Sequence, residues 1–281
     1  MISDHNLNKV KPSDVVLLGV PFDHNSSYQR GPASAPAFIR ERFYSNSGNL
    51  CAENGTDLSL KKNWHDFGDL KSTDLKNSFK IIEKSVLQII EKQGRILSLG
   101  GDHAITYPLI KAYSKTYSNL TILHFDAHPD LYDNLNGNPL SHASPFARIM
   151  EQGLVNKLIQ VGVRTINPHQ REQIEKFNVY TIEMKDFTSN INLNLTGPIY
   201  ISFDMDALDP AFAPGVSHHE PGGFTTRQVL RIIQSIGVAE NANAKIVGAD
   251  IVELNPLNDI NLITASASAK LLKEILSKMV T

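Results

Sequence analysis

Short runs of apolar, often β-branched residues alternate along this chain with longer segments of helical periodicity. The apolar runs predict strands at residues 15–20, 96–99, 120–125, 158–163, 179–182, 199–203 and 246–252. The periodic segments predict helices at residues 36–44, 79–90 and 265–279. This alternation favours a parallel sheet with helices on its faces. The pattern therefore predicts the α/β class, as a three-layer α/β/α sandwich with a mainly parallel central sheet.

The chain shows no break that would separate two domains. Its 281 residues are an ordinary length for one α/β domain. The sequence contains neither an internal repeat nor a low-complexity tract. We therefore expect a single domain over residues 1–281.

Composition excludes several classes of partner. The chain has 27 Lys and Arg against 29 Asp and Glu, a formal charge of −2, and no basic stretch of the kind that binds nucleic acid. Its one cysteine, Cys51, excludes an internal disulfide and a cysteine-rich zinc site, and fits a reducing compartment such as the cytoplasm. No segment offers an apolar signal core or the roughly 20 apolar residues that cross a bilayer. We expect a cytoplasmic protein with no membrane partner.

Polar residues follow several predicted strands, at the edge of a parallel sheet where ligands usually bind. The first such segment is Gly-Gly-Asp-His at residues 100–103. The two glycines permit a tight turn, and His103 would open the next helix facing the cleft. A lone histidine at a strand end is more often a hydrogen-bonded structural residue. His103 becomes a candidate metal ligand only together with the segments below.

The second segment is Asp-Ala-His-Pro-Asp at residues 126–130. In extended backbone, alternate side chains project to the same side, so Asp126, His128 and Asp130 can converge on one point. A helix cap or an Asx turn would explain one of the aspartates but not three coordinating groups on one face. This segment therefore predicts a metal site.

The third segment places Asp204 and Asp206 at the end of another predicted strand. Two buried carboxylates so close together repel each other and have raised pKa values unless a cation compensates them. A solvated loop is the alternative, and Asp209, which precedes Pro210, is typical of such a turn. We include Asp204 and Asp206 in the predicted ligand set and leave Asp209 out.

Four carboxylates and two imidazoles are too many ligands for one ion. A carboxylate-rich set with some imidazole suits Mn²⁺ and similar ions, and bridging carboxylates can hold two of them. Two such ions activate a shared water molecule at neutral pH, so hydrolysis is the expected reaction.

Two further residues are candidates for catalysis. His142, in Ser-His-Ala-Ser at residues 141–144, could move protons because its ordinary pKa is near neutrality. Glu253 follows the last predicted strand, where a carboxylate could hold a planar cation through paired hydrogen bonds. An ordinary surface acid is an equally good interpretation of Glu253 from the residues alone.

These segments resemble the family of arginases, agmatinases and their relatives. The resemblance lies in residues 100–103, 126–130 and 202–210, the last reading Ser-Phe-Asp-Met-Asp-Ala-Leu-Asp-Pro, and extends from about Gly19 to the C-terminus. The finer pattern is most similar to plant-type arginases, in the segments 24–27, 141–144, 215–218 and 220–223.

The resemblance implies two Mn²⁺ per subunit. One would be held by His103, Asp126, Asp130 and Asp204, and the other by His128, Asp126, Asp204 and Asp206. Asp126 and Asp204 would bridge, and a hydroxide oriented by Asp130 would attack the guanidinium carbon. Glu253 would hold the guanidinium and His142 would pass protons to the departing amine. The family also implies an arginase-like fold and assembly as a homotrimer or homohexamer.

Two residues bear on the choice of substrate. Asn167 stands where other arginases have an aspartate that contacts the substrate α-amino group, and His218 replaces a usual threonine near the guanidinium. The loop 131–141 is also shorter, and all three features resemble plant-type arginases, so we expect L-arginine to be the substrate. Agmatine, guanidinobutyrate and formiminoglutamate are alternatives. A single-zinc deacetylase on a related fold, or a regulatory protein that has lost catalysis, would be a different class of protein.

Overall fold

The computed structural model describes residues 2–71, 77–188, 191 and 193–281, with the side chain of residue 240 left out. These residues form eight strands, β1 (Val15–Gly19), β2 (Trp64–Asp69), β3 (Arg95–Leu99), β4 (Thr121–Phe125), β5 (Lys157–Val163), β6 (Tyr180–Glu183), β7 (Gly197–Asp204) and β8 (Ala244–Val252). Their α-helices are α1 (Asp4–Leu7), α2 (Ala35–Phe43), α3 (Ser78–Ile90), α4 (Thr106–Tyr113), α5 (Pro145–Glu151), α6 (Pro168–Lys176), α7 (Thr226–Ser235) and α8 (Ile263–Met279).

All eight strands belong to one parallel sheet in the order β2-β1-β3-β8-β7-β4-β5-β6. Alternate side chains of each strand enter two separate apolar clusters. Leu97 and Leu99 pack with α2, α7 and α8 on one face. Ile96 packs with α3, α4 and α5 on the other face. The predicted three-layer sandwich with a parallel central sheet is confirmed.

Strand β2 is the one described strand that the hydrophobic pattern did not predict, and it did not predict helices α1, α4, α5, α6 and α7 either. Its sequence, Trp-His-Asp-Phe-Gly-Asp, has no apolar run, and its residues are half-buried or exposed. It lies at the edge of the sheet and pairs with β1 alone. An edge strand has one unpaired side and can lack a continuous apolar sequence, as β2 does. The other edge strand, β6, keeps a short apolar run and was predicted.

The strand order brings four polar segments together. Strands β3, β8, β7 and β4 are neighbours, and because they are parallel their carboxyl ends meet at one edge of the sheet. Strand β3 is followed by residues 100–103, β8 by Glu253 and β4 by residues 126–130. Asp204 is the last residue of β7, and Asp206 lies two residues beyond it. The chain crosses from β3 to β4 through α4 and fills the two positions between them later, with β7 and β8.

Gly101 illustrates how closely the backbone packs at this edge. A Cβ atom at this position would lie 1.7 Å from the carbonyl oxygen of Phe22. That carbonyl accepts a hydrogen bond from the N–H of Asp102 at 2.7 Å. The turn after β3 therefore requires glycine, as the sequence predicted, because no side chain fits between the two segments.

The described residues include no helix that is both long and apolar enough to cross a bilayer.

We predict that Tyr113→Phe destabilises the sheet below this edge. The buried Tyr113 hydroxyl accepts from the N–H of Ile96 at 3.0 Å and donates to the carbonyl of Val247 at 3.2 Å, joining β3 to β8. Removal of the hydroxyl leaves both groups without their partner, so the free energy of unfolding should fall by about 1–3 kcal/mol in denaturant titrations. The control Tyr180→Phe, at an exposed tyrosine, should change it by less than about 0.5 kcal/mol. Equal effects would contradict this account.

Candidate metal centre

The six predicted ligands converge in two adjoining clusters. In the first, Nδ1 of His103 lies 3.1–3.2 Å from Oδ2 atoms of three aspartates, Asp126, Asp130 and Asp204. In the second, Nδ1 of His128 lies 3.2 Å from Oδ1 of Asp126 and 3.1 Å from Oδ2 of Asp206. Asp126 belongs to both clusters, since each of its carboxylate oxygens faces a different histidine.

The convergence of residues 126–130 has a different cause from the one predicted. Strand β4 ends at Phe125, so the alternation of an extended backbone does not continue through this segment. Asp126 instead forms a turn in which its Oδ1 accepts from the N–H of His128 at 2.6 Å, and Asp130 has a left-handed φ of 50°. From the sequence alone, a turn and metal binding are competing interpretations of this segment. The structure shows that Asp126 does both: its Oδ1 closes the turn, and its Oδ2 is directed at Nδ1 of His103.

The orientation of His103 is fixed from behind. Ser202 donates its hydroxyl to Oδ1 of Asp250 at 2.8 Å, so its oxygen is available to accept from Nε2 of His103 at 2.9 Å. Thr106 and Tyr200 donate to the other oxygen of Asp250, at 3.0 and 2.9 Å. The proton of a neutral His103 ring therefore lies on Nε2, and a lone pair on Nδ1 points at the carboxylates. Metal-binding histidines are typically oriented by such an outer hydrogen bond.

Nδ1 of His103 provides a direct test of whether a cation fits. This atom is fully buried, and it makes no hydrogen bond with the described residues although three carboxylate oxygens surround it. Burial lowers the pKa of His103, but the carboxylates outweigh burial and raise the pKa well above its ordinary value. Positive charge is thus favoured at this point, although Nδ1 makes no well-directed hydrogen bond to any one of the three carboxylates. Nitrogen and carboxylate donors around a shared point suit a divalent ion such as Mn²⁺.

His124 is a further histidine at the centre that the sequence analysis did not select. Its Nδ1 accepts from Nε2 of Gln160 at 3.0 Å, so Nε2 carries the proton and donates to Oδ2 of Asp126 at 2.8 Å. Although His124 is close enough to join His103 and Asp126 around an ion, its protonated nitrogen faces the carboxylate. His124 therefore orients Asp126. Its position two residues before Asp126, inside an apolar strand, was the available signal.

The carboxylates differ in their electrostatic environment. Burial raises the pKa of Asp204 well above its usual range, and the charges of Asp206 and Asp126 raise it further. Burial and Asp126 likewise raise the pKa of Asp206. Burial also acts to raise the pKa of Asp126, but contacts with His124, His103 and His128 outweigh it and hold this pKa well below its usual range. A cation between the clusters would relieve the repulsion that affects Asp204 and Asp206.

His142 and Glu253 form a buried pair beside the metal clusters. Nδ1 of His142 donates to Oε1 of Glu253 at 2.8 Å, and the same oxygen accepts from the N–H of His103 at 2.8 Å. Only 4% of Glu253 is exposed, which excludes the alternative that it is a surface acid. Burial lowers the pKa of His142, but the charge of Glu253 outweighs it and raises the pKa to about 9.

The other ring nitrogen of His142 faces Ser27, a residue that the sequence analysis did not select. Nε2 lies 2.8 Å from the Ser27 hydroxyl oxygen and 3.1 Å from the Ser27 backbone nitrogen, which donates to it. The backbone contact fits an unprotonated Nε2, while the raised pKa favours a proton. Since Nδ1 is protonated in both forms, Nε2 is the atom that gains or loses a proton.

A cavity of about 200 Å³ opens onto both clusters. Its walls contain four acids, and none of the described lining residues is Lys or Arg. The acids are Asp130, Asp204, Asp206 and Glu253, whereas the neutral donors Ser27, Tyr132, Thr165, Asn167 and Gln170 also line it. Because Asp130, Asp204 and Asp206 are predicted metal ligands, Glu253 is the acid of the described lining that is left to pair with a cationic ligand.

Asn167 and His218, the two predicted specificity residues, both line this cavity. Asn167 caps α6 by accepting from the N–H of Gln170 at 2.9 Å, and it donates to the Tyr132 hydroxyl at 2.6 Å. His218 has its ring 5.4 Å from that of His142, and burial lowers its pKa. Asp209, which the sequence assigned to a turn, accepts from the N–H groups of Gly222 and Gly223.

A comparison with protein families settles the membership. The family model described as the arginase family matches residues 13–277 of this chain. The chain belongs to the arginase family. The resemblance found in the motifs is therefore confirmed, and the deacetylase alternative is not supported.

Individual members of the arginase family show the same relation. The chain is 44% identical over 280 residues to "Arginase 1, mitochondrial" of Arabidopsis thaliana, covering 94% of this chain and 80% of the relative. It is 33% identical over 270 residues to the agmatinase of Bacillus cereus, covering 94% and 91%. The structure of "Arginase from Medicago truncatula" superposes with a TM-score of 0.87 at 41% identity, covering 98% of this chain and 90% of that one. The predicted similarity to plant arginases is confirmed.

We predict that Asp102→Ala destabilises the loop that holds His142. Buried Asp102 accepts from the backbone N–H groups of Asn25 at 2.9 Å and Ala104 at 3.2 Å, and the Asn25 carbonyl accepts from the N–H of His142. The Ala104 N–H is buried and the Asn25 N–H is partly buried, so loss of their common acceptor should lower the free energy of unfolding by about 1–3 kcal/mol in total. Denaturant titration measures this change.

The matched control is Asp57→Ala, because Asp57 accepts from the N–H of Ser59 at 2.9 Å on the surface. Water can replace that exposed bond, so the free energy of unfolding should fall by about 1 kcal/mol or less. A loss at Asp102 no greater than that at Asp57 would show that Asp102 does not anchor the loop.

Proposed function

We propose that this chain is a manganese-dependent arginase that hydrolyses L-arginine to L-ornithine and urea. The observation that supports the proposal best is the pair of His/Asp clusters sharing Asp126 at the floor of an acidic cavity. A guanidinium group is planar and cationic, and Glu253, the described lining acid that is not a proposed metal ligand, can pair with it. The relatives named arginase at 42–44% identity support the same activity.

Two Mn²⁺ per subunit are the proposed cofactors. His103, Asp126, Asp130 and Asp204 would hold one ion, and His128, Asp126, Asp204 and Asp206 the other, with Asp126 and Asp204 shared. The spacing of 3.1–3.2 Å between each histidine Nδ1 and its carboxylate oxygens supports the sharing of Asp126, while the sharing of Asp204 rests on the family resemblance. When bound, such ions lower the pKa of a water molecule between them and supply a nucleophile at neutral pH.

Glu253 is the proposed site for the substrate guanidinium. Its Oε1 already accepts from His142 and from the backbone of His103, which fixes the side chain. The second oxygen, Oε2, is available to accept from the guanidinium. Because Glu253 also has a left-handed φ of 63°, its direction is set by the backbone as well as by these bonds.

His142 would deliver a proton to the departing amine. Its Nδ1–H is held by Glu253, while Nε2 gains or loses a proton beside Ser27 at the cavity wall. Asp130 would orient the attacking water, since it lies in the first cluster and also lines the cavity. Acid–base catalysis needs a group of this kind within hydrogen-bond distance of the reacting atoms.

The choice between arginine and agmatine depends on the cavity rim. Arginine carries an α-carboxylate that agmatine lacks, and the described lining residues include no Lys or Arg to pair with it. Neutral donors would have to bind the carboxylate, and Asn167 with its partner Tyr132 is in position to do so. His218 would contact the guanidino end. The greater identity to arginases than to the agmatinase supports arginine.

Three further properties belong to the proposal. Residues 1–281 would form one catalytic domain, and the subunits would assemble as a homotrimer or a homohexamer. The cytoplasmic location stays a prediction, because the Arabidopsis relative is named as mitochondrial. A catalytically silent regulatory homologue remains the non-enzymatic alternative, but such a protein would be expected to have lost ligands, and all six side chains are in place.

Urea release from the Mn²⁺-loaded protein tests the substrate. At matched concentrations, we expect arginine to be hydrolysed faster than agmatine or guanidinobutyrate. A preference for agmatine would make the chain an agmatinase in which Asn167 and His218 mark a changed specificity. Release of urea from none of the three substrates would overturn the proposed activity.

His128→Asn tests the metal assignment. Loss of this ligand should reduce bound manganese from two ions per chain to about one, measured by atomic emission after gel filtration. Removal of an outer partner of a metal ligand can lower activity by roughly 100-fold, so loss of a ligand itself should lower urea release by at least that much. The control His5→Asn, at an exposed histidine of α1, should keep both ions and full activity. Full urea release by His128→Asn would contradict the two-metal proposal.

A further inference from the structure

An open cavity with a mixed polar and apolar lining lies at the amino ends of the strands, at the opposite edge of the sheet from the metal centre. It has a volume of about 530 Å³ and is lined by residues that begin β3, β7 and β8. Arg95 and Lys245 are its cationic lining residues, and no described lining residue is Asp or Glu. Nothing in the proposed hydrolysis involves this cavity.

Arg95 is a buried cation that forms no ion pair with the described residues. Only 8% of this residue is exposed, and no carboxylate of the described residues lies within ion-pairing distance of its guanidinium. The nearby acid, Asp14, is engaged elsewhere: its Oδ2 accepts from the N–H of Lys11 and from Nε2 of His65, each at 3.0 Å. Nε of Arg95 is buried and has no hydrogen-bond partner among the described residues. An unpaired buried charge is costly, and such a group at a cavity wall is typical of a ligand site.

The backbone around Arg95 holds its guanidinium in place. One terminal nitrogen, Nη2, donates to the carbonyl of Ser13 at 2.6 Å. Ser13 and Gln93 both have left-handed φ values, 68° and 60°, and the N–H of Ser13 donates to the carbonyl of Gln93 at 2.8 Å. Two non-glycine residues in this conformation store backbone strain, which is common where a side chain is positioned for binding.

The other lining groups complement an anion. Tyr117 contributes a hydroxyl, and Asn119 and Asn243 contribute amides that can donate hydrogen bonds. Ile90 and Pro198 add apolar surface, which an inorganic ion would not need but an organic molecule could cover. The planar guanidinium of Arg95 can bind two oxygens of a carboxylate or a phosphate. Lys245, which is exposed to solvent, adds a second positive charge to the cavity.

We propose that this cavity binds a small organic anion, a carboxylate or a phosphate ester, through Arg95 and Lys245. The site is separate from the metal centre, so its occupant would be a regulatory or stabilising ligand rather than a substrate.

Thermal unfolding of the Mn²⁺-loaded protein tests this site with two probes. Sodium sulfate represents the tetrahedral anion and sodium succinate the carboxylate, each compared with sodium chloride at equal ionic strength. Sulfate also stabilises proteins by exclusion from their surface, an effect that all variants share. The informative quantity is therefore the difference between variants. The variants are Arg95→Gln and Lys245→Gln, with Lys62→Gln, at an exposed lysine outside the cavity, as the matched control.

At least one probe should raise the Tm of the wild type and of the control Lys62→Gln. The Tm shift in these two proteins should exceed the shift in Lys245→Gln and Arg95→Gln by roughly 3–5 °C. The probe that does so identifies the preferred anion. Lys245→Gln keeps the test valid if Arg95→Gln fails to fold, because Lys245 is exposed and forms no ion pair with the described residues. Equal shifts in all four proteins with both probes would overturn the proposal. Urea release should be unchanged in Lys245→Gln, so the outcome is independent of the proposed activity.

Discussion

The repulsion among buried carboxylates at one edge of the sheet is the constraint on which the rest of the site depends. Three aspartates direct oxygens at a single ring nitrogen of His103, namely Asp126, Asp130 and Asp204. Burial and the neighbouring carboxylates raise the pKa of Asp204. Such an arrangement is stable only if positive charge occupies the space between the side chains. Ser202 holds the ring of His103 in place and His124 holds the carboxylate of Asp126, so these side chains cannot rotate away from one another. Metal binding is therefore the natural role of this edge.

The parallel topology explains why the site forms where it does. Four adjacent strands end at the same edge, and each contributes its residues within a few positions of its last paired residue. The same topology gathers the amino ends of β3, β7 and β8 at the opposite edge, where Arg95 lies. One sheet thus has two chemically opposite ends, acidic at the carboxyl edge and basic at the amino edge.

The sequence predicted the parts of the structure that are encoded locally. Central strands are continuous apolar runs, and the ligands follow them within short motifs, so both were recognised. Edge strand β2 has no such run and was missed. His124, Asp102 and Ser27 were missed because their roles come from contacts with Gln160, Asn25 and His142, which are distant in sequence. The turn at residues 126–130 was given only as an alternative to metal binding, because extended backbone and a turn can bring the same side chains together.

Anomalous diffraction at the manganese absorption edge, from crystals of the Mn²⁺-loaded protein, is the most direct test of the central claim. The account predicts two peaks per chain, roughly 3.5–4 Å apart, one beside Nδ1 of His103 and the other beside Nδ1 of His128. A single peak, or peaks away from these two nitrogens, would contradict it.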